Sequence, residues 1–358
     1  MNLDNKQQYK KLDAHFVGKS IELLPDQMRQ VLNEAHLIKI PKNYSHINNV
    51  VVVGMGGSNL GTHFTRSAFA DKIKMPINIV ANYHLPAFVD KNTLVLLSSY
   101  SGTTKEVLSA CKEAQKRNCK IAAISEDSPK SKLKKIMMKK NLPGYLFKPK
   151  YNPSGQPRLG LGYSIFGQAV ILAKTGIFSI KRPQMKDIIA MLEINSHKLH
   201  SNFATNQNAA KKIALKLHKK IPLLISAEHL FGCLHIMRNQ FNECSKNFSA
   251  YLELPDLNHY TLEGLGFPLS NKKNIIALFF ESNLFDKRVQ KRSTLTNQVI
   301  KKNNIETLSY NLKSKDKLSQ SFELLQLGAW ISYYLGILNK IDPAEIPYVD
   351  WFKNQLKK

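Results

Sequence analysis

The sequence has few cysteines and no motif built on them. Its four cysteines are Cys111, Cys119, Cys233 and Cys244, and no two of them form a C-x-x-C pair. The sequence therefore predicts neither a zinc motif nor a redox motif. Few, irregularly spaced cysteines are typical of proteins from a reducing compartment, so we expect a cytoplasmic protein.

Long hydrophobic runs are also missing. No run approaches the roughly 20 apolar residues that a helix needs to cross a bilayer. Residues 1–30 carry charges throughout and contain no uninterrupted apolar stretch. We therefore expect neither a secretory signal nor a membrane anchor.

Acidic residues are half as numerous as basic ones. The 26 Asp and Glu residues against 52 Lys and Arg residues give a formal net charge of +26. A positive field attracts anions such as sugar phosphates, nucleotides, nucleic acids and anionic lipids. The alternative is a Lys-rich composition with scattered, solvated lysines, which would give the same net charge without any binding role. The densest run, residues 130–140, interleaves lysines with apolar residues and predicts an amphipathic helix rather than a nucleic-acid-binding tail.

The chain is long enough for two domains. It has 358 residues, of which 43% are hydrophobic and 22% charged, which excludes a disordered chain or a small disulfide scaffold. Apolar runs typical of buried strands alternate with helical patterns, and these runs are residues 49–54, 77–81, 94–99, 121–124, 221–226, 275–280 and 305–312. Such alternation predicts the α/β class, with parallel sheets flanked by helices.

The same patterns divide the chain into segments. We predict an N-terminal helical segment over residues 1–45 and a first α/β domain over 46–175. A helical connection follows over 176–220, and a second α/β domain over 221–358. Residues 324–338 of the second domain predict a closing helix.

A glycine-rich loop follows the first predicted strand. Gly54-Met55-Gly56-Gly57-Ser58 opens a helix, where exposed backbone N–H groups can hold an anion. The spacing fits neither the dinucleotide fingerprint nor a Walker loop. An anion site is favoured over a plain tight turn, with Gly57 and Ser58 as the candidate residues.

A second loop is rich in hydroxyl groups. Residues 98–104 read Ser-Ser-Tyr-Ser-Gly-Thr-Thr and stand between a buried strand and a helix. A helix cap needs one hydroxyl, so the others indicate phosphate binding, with Ser99, Ser101 and Thr104 as candidates. The loop has no lysine, and we find no carboxylate pair for Mg²⁺. We therefore expect a phosphate that is recognised rather than transferred.

The two loops, in this order, resemble the sugar isomerase (SIS) fold. Further segments are similar to the bifunctional phosphoglucose/phosphomannose isomerase family: P-R-L-G-L-G-Y at 157–163, Q-F-N-E-C-S-K at 240–246, E-L-P-D-L-N-H at 253–259, and Asp342-Pro343 followed by Lys353. The resemblance covers about residues 45–358 and implies two SIS-type domains.

The resemblance also implies a reaction. It is the interconversion of glucose 6-phosphate with fructose 6-phosphate through a cis-enediol, without a metal or other cofactor, in a homodimer with shared active sites. Glu243 would move the proton and His259 would open the sugar ring. Lys353 would assist ring opening, and Arg158 would hold the enediolate charge.

The sequence departs from the family pattern at Thr103, Cys244, Tyr260 and Thr261. The change at Tyr260-Thr261, beside the implied ring opener, leaves open whether mannose 6-phosphate is a substrate. One alternative is a non-catalytic sugar-phosphate-binding protein or regulator, which would not need Glu243 and His259. A nucleic-acid-binding protein is the other, but no recognition helix or aromatic–basic interleaving is found.

Overall fold

In the computed structural model, which describes residues 2–356, nine strands form two parallel sheets. They are β1 (Asn49–Val53), β2 (Ile77–Val80), β3 (Thr93–Ser98), β4 (Lys120–Glu126), β5 (Gly144–Phe147), β6 (Ile221–Ala227), β7 (Ala250–Leu254), β8 (Ile275–Glu281) and β9 (Glu306–Asn311). One sheet has the order β2-β1-β3-β4-β5 and the other the order β7-β6-β8-β9. The predicted α/β class with parallel sheets is confirmed.

Helices connect the strands. They are α1 (Lys6–Leu12), α2 (Val17–Glu22), α3 (Leu24–Glu34), α4 (Leu60–Ala68), α5 (Lys105–Lys116), α6 (Lys132–Lys140), α7 (Gly167–Lys174), α8 (Arg182–Leu199), α9 (Ala209–Leu217), α10 (Phe231–Cys244), α11 (Thr261–Gly264), α12 (Asn271–Asn274), α13 (Lys287–Lys302), α14 (Lys317–Leu338) and α15 (Pro347–Gln355). The Lys-rich run at 130–140 is helix α6, as predicted.

The described chain divides into two units. Residues 23–193 form the five-stranded unit, and residues 2–22 with 194–356 form the four-stranded unit. The N-terminal segment predicted over 1–45 is thus shared between them, and so is the predicted connection over 176–220. In the four-stranded unit, α1 lies against α14, where the Tyr9 and Tyr333 rings stack at 6.0 Å. In the five-stranded unit, the Gln27 side chain of α3 accepts a hydrogen bond from the Gly162 N–H at 2.9 Å.

β1 and β3 are adjacent interior strands of the five-stranded sheet. Residues 50–53 of β1 and all of β3 are buried, as expected for strands covered on both faces. The chain passes from β1 outward to β2 and then returns to β3 on the other side of β1. The carboxyl ends of β1 and β3 therefore form the topological switch point, which is where open α/β sheets bind ligands.

The four-stranded unit is organised around α14. Every residue from Leu318 to Leu338 is buried. Gly328 permits a close crossing with α10, because a Cβ added there would lie 2.4 Å from the Met237 Cε. No helix within residues 2–356 is long and apolar enough to cross a membrane.

Two strands were missed by the sequence patterns. β5 has only four residues with alternating burial, and no residue of β7 except Leu254 is fully buried. Both strands lie at the edge of their sheets, where the apolar signal is weakest. β7 lies between two of the candidate site residues, Glu243 and His259.

Candidate active site

The structure brings the two predicted phosphate loops together at the switch point of the five-stranded unit. The Ser58 Oγ accepts a hydrogen bond from the Tyr100 N–H at 3.0 Å, and the Ser98 Oγ donates to the Ser58 carbonyl at 2.6 Å. The Gln168 Nε2 donates to the same carbonyl at 2.7 Å. Ser58 is itself buried. Its side chain therefore fixes the position of the two loops relative to each other.

The hydroxyl-rich loop ends at the start of α5. The Ser99 and Thr104 hydroxyls are 2.8 Å apart, and those of Ser101 and Thr103 are 3.0 Å apart. Thr104 precedes α5 without making a side-chain cap, so the first N–H groups of that helix donate no hydrogen bond to the Thr104 side chain. Hydroxyl donors and a helix N-terminus thus meet at one point, an arrangement suited to a phosphate group.

Glycine is required within this loop. Gly102 has a φ of +65°, and a Cβ there would lie 1.8 Å from the Ser131 Oγ. The turn that spaces Ser101 from Thr104 therefore depends on a residue without a side chain.

Arg158 lies beside the glycine loop. A Cβ on Gly57 would be only 3.1 Å from the Arg158 backbone nitrogen, so glycine allows the two segments to touch. Arg158 is 2% exposed, and its Nη1 donates a hydrogen bond to the Gln156 Oε1 at 2.9 Å. It is therefore a buried cation rather than a surface arginine. The structure thus gathers Gly57, Ser58 and Arg158 into one cluster with the hydroxyl loop.

Glu243 lies in the last turn of α10 in the four-stranded unit. It lines a pocket of ≈ 500 Å³ together with Arg238, Asn239, Asn242, Phe248, Ser249, Ala250 and Tyr251. This volume is in the range of small-molecule sites. The pocket stands at the amino end of β7, since Ala250 is the first residue of that strand. The Asn247 side chain also donates to the carbonyl of Lys220, just before β6.

His259 lies beyond the other end of β7. It ends a 3₁₀ turn over Asp256–His259 that follows the strand, and its side chain is exposed. A strand of five residues spans about 16 Å. Within one chain, the four-stranded unit therefore holds Glu243 and His259 apart by the length of β7.

Lys353 is exposed on α15, a helix with no buried residue. Tyr348, Trp351 and Phe352 of the same helix are 87%, 63% and 57% exposed. The helix begins shortly after Asp342, whose carbonyl accepts a hydrogen bond from the Lys246 Nζ at 2.8 Å. Because Lys246 follows Glu243 by three residues, α15 starts at the Glu243 end of the unit.

The contact of His15 with Asp342 gives a pH-dependent prediction. The His15 Nδ1 is 2.7 Å from the Asp342 Oδ2, and this hydrogen bond raises the pKa of His15 above 6.5. A group whose pKa is raised by folding stabilises the protein below its unfolded pKa and loses that effect as pH rises through the folded pKa. His15→Gln should therefore lower the free energy of unfolding near pH 5 but not at about pH 9, as measured by urea unfolding. His46→Gln, an exposed histidine in the other unit, is the control, and an equal effect of His15→Gln at both pH values would contradict the assignment.

Sequence reasoning missed two residues of the Glu243 pocket. The Arg238 guanidinium lies over the Tyr251 ring at 5.1 Å from its centroid, and both side chains line the pocket. Arg238 and Asn242 are one helical turn apart, so the periodicity of α10 could have indicated Arg238. Tyr251 could not have been found, because β7 itself was not predicted.

No group of three or more His, Cys, Asp or Glu side chains within residues 2–356 is arranged to hold a metal ion.

The phosphate loop gives a second prediction. Removing the hydroxyls of Ser99, Ser101 and Thr104 together should raise KM for a sugar phosphate by at least about tenfold, because each hydrogen bond to a charged group is worth roughly 1.5–3 kcal/mol. Steady-state kinetics of the triple alanine variant would measure this. Ser109→Ala on α5 is the matched control. An unchanged KM in the triple variant would refute the assignment.

The chain has two α/β units, each with a parallel sheet, and a hydroxyl-rich loop at the switch point of one of them. These features define a protein of the sugar isomerase (SIS) fold. The model of the bacterial phospho-glucose isomerase C-terminal SIS domain matches residues 206–356. A hypothetical protein of Thermus thermophilus has a similar structure, with a TM-score of 0.75, 14% identity, and coverage of 99% of this chain and 93% of that one.

Named relatives place the chain in a particular family within the SIS fold. The bifunctional phosphoglucose/phosphomannose isomerase of Caldicellulosiruptor bescii is 30% identical over 94% of this chain and 98% of its own length. The protein of the same name from Thermoplasma acidophilum is 26% identical over 86% of this chain and 90% of its own. The chain belongs to the bifunctional phosphoglucose/phosphomannose isomerase family, as its motifs predicted.

Proposed function

We propose that this protein is an aldose–ketose isomerase that interconverts glucose 6-phosphate and mannose 6-phosphate with fructose 6-phosphate. The observation that carries this proposal is the pocket of ≈ 500 Å³ lined by Glu243, the carboxylate at which the family motif Q-x-N-E places the base. The names of the curated relatives support the same substrates. The regulator alternative has no observation in its favour.

The roles of the side chains follow from the chemistry. The substrate phosphate is held by the Ser99, Ser101 and Thr104 hydroxyls and by the first N–H groups of α5. Once the ring is open, Glu243 removes the proton from C2 of the aldose, and the electron pair forms the C1–C2 double bond of an enediolate. A proton then passes from the C2 hydroxyl to the C1 oxygen, and Glu243 returns its own proton to C1, which gives the ketose. No electrons leave the sugar, so the reaction needs no redox partner.

Arg158 stabilises the charge that develops during this step. A buried guanidinium acts in a low dielectric, where its attraction to an oxyanion is stronger than in water. Its planar fork can bind both enediolate oxygens. Lys353 is assigned to ring opening together with His259, and its place on the exposed helix α15 leaves its side chain accessible.

We also propose that the active site is shared between two copies of the chain. His259 and Glu243 lie at opposite ends of β7, too far apart to act on one sugar within a single unit. The exposure of His259 suits a side chain that acts in a partner. A second copy would supply His259 to the Glu243 pocket.

The four free cysteines favour the cytoplasm as the compartment of this protein.

The test is direct. Purified protein is incubated separately with glucose 6-phosphate and mannose 6-phosphate, and fructose 6-phosphate formation is followed. Turnover of both substrates supports the proposal. Turnover of glucose 6-phosphate alone restricts the proposed activity to that substrate, and Tyr260 and Thr261 would then be the first residues to mutate. Binding of a sugar phosphate without turnover would overturn it in favour of a regulator.

A further inference from the structure

A second pocket, named here the α7 pocket, lies within the five-stranded unit and contains none of the candidate site residues. It has a volume of ≈ 810 Å³ and is lined by the end of α3, residues 71–74, the segment 166–174 that contains α7, and residues 176–182. Pockets of this volume bind small organic ligands. The α7 pocket is therefore large enough for a ligand of its own.

The α7 pocket lies at the edge of the sheet opposite the glycine-rich and hydroxyl-rich loops. Residues 71–74 follow α4 and come just before β2, at the amino end of that strand. The Lys74 N–H donates a hydrogen bond to the Ile177 carbonyl at 3.4 Å, which joins this segment to the one that follows α7. The two loops follow the carboxyl ends of β1 and β3, and β1 spans about 16 Å. A ligand in the α7 pocket would therefore not occupy the phosphate position proposed above.

The wall of the α7 pocket is apolar. Phe166, Val170 and Ala173 are spaced by four and three residues, so they share one face of the helical segment that ends at Lys174. Leu32 of α3 and Ile73 line the pocket as well. Contact with a wall of this kind favours a ligand that has an apolar body.

Four cations line the same pocket, together with one carboxylate. The cations are Lys72, Lys74, Lys174 and Arg182, and the carboxylate is that of Asp71. Within residues 2–356, no carboxylate lies within 4.0 Å of the charged nitrogens of these four side chains. The pocket therefore has an excess of positive charge that favours an anionic ligand.

Two of the four cations are held by specific contacts, unlike a solvated surface lysine. The Arg182 Nη1 donates a hydrogen bond to the Leu32 carbonyl at 3.2 Å. The Lys72 Nζ lies 5.8 Å from the centroid of the Phe69 ring, and this ring stacks at 4.6 Å on Phe178, which lines the pocket. Because these side chains are already oriented, they lose less conformational freedom when an anion binds.

We propose that the α7 pocket binds an amphipathic anion, which is an apolar chain or ring that carries one carboxylate or phosphate group. The apolar body packs against Phe166, Val170 and Ala173, and the head group is bound by the surrounding cations. A sugar phosphate has no apolar body and would leave this wall uncovered. The ligand of the α7 pocket is therefore chemically different from the proposed substrate, and its binding does not rest on the proposed function.

Three ligands with the same alkyl chain test the pocket. Decanoate and decyl phosphate carry an anionic head group, whereas 1-decanol is neutral. Isothermal titration calorimetry with the full-length protein should show that at least one of the two anions binds at least about tenfold more tightly than 1-decanol, because only the anions interact with the cations.

Variants then separate the two parts of the pocket. Lys74→Glu/Lys174→Glu should weaken binding of the anion by at least about tenfold and leave 1-decanol binding unchanged. Lys112→Glu/Lys135→Glu makes the same change of charge at exposed lysines of α5 and α6 and is the matched control. Ala173→Phe fills the apolar wall and should weaken binding of all three ligands. Circular dichroism checks that each variant is folded.

Three results would overturn the proposal. They are anions that bind no more tightly than 1-decanol, an equal loss of affinity in Lys74→Glu/Lys174→Glu and in the control, or a folded Ala173→Phe variant that binds like the wild type. Isomerase activity is measured in the same preparations. Its absence would overturn the proposed function and leave the binding data readable on their own.

Discussion

Glu243→Gln should reduce kcat for glucose 6-phosphate by about 10²–10⁴-fold, the usual contribution of a general base. The amide keeps the size and hydrogen-bonding ability of the side chain but cannot accept the C1 or C2 proton. KM should change little, because the proposed phosphate-binding groups are the Ser99, Ser101 and Thr104 hydroxyls rather than Glu243. Exchange of solvent deuterium into the substrate reports the proton transfer itself, and it should fall by the same factor as kcat.

The matched control is Glu306→Gln. Glu306 begins β9, at the opposite edge of the same sheet from β7, and is exposed. The Glu306→Gln variant should exchange solvent deuterium into the substrate at the wild-type rate. Wild-type exchange in Glu243→Gln would place the enediol base elsewhere and remove the central assignment of the site.

The central strands were predictable because burial on both faces imposes a continuous apolar sequence. β1 and β3 illustrate this, since the runs at 49–54 and 94–99 predicted buried strands and contain them. The positions of the glycine-rich and hydroxyl-rich loops were predictable for a related reason. They follow directly from the ends of these strands, and neighbouring strands of a parallel sheet present their carboxyl ends at one edge.

The start of α14 shows where sequence patterns fail. The predicted helix began at residue 324, whereas α14 begins at Lys317. The helical turns before residue 324 contain buried polar residues, and these form hydrogen bonds with residues outside the helix. The Glu323 carboxylate accepts the Ser314 N–H at 2.8 Å, and the Gln320 Oε1 lies 3.0 Å from the His229 Nε2. A polar residue in the sequence predicts exposure, and only the fold reveals that it is paired inside.

The sequence patterns also did not predict the distance between Glu243 and His259. The two residues are 16 positions apart, and the missed strand β7 occupies the interval. Without that strand, no residue pattern indicates whether the two side chains of one chain meet, and only the family resemblance implied a shared site. With the strand, the length of an extended segment keeps them apart, which supports the proposal that another chain completes a site that needs both.

Mixing two inactive variants should therefore restore activity. In the proposed homodimer with shared sites, Glu243→Gln and His259→Ala each disable both sites. In a mixed dimer, one site combines both changes and the other has neither. Random assortment gives half mixed dimers with one intact site in two, so about a quarter of wild-type activity should return. Equimolar variants are denatured together, refolded and assayed with glucose 6-phosphate. Two differently tagged Glu243→Gln preparations, treated in the same way, should stay inactive. Activity that never exceeds that of the separate variants, in samples shown by their tags to contain mixed dimers, would place Glu243 and His259 of one chain in the same site.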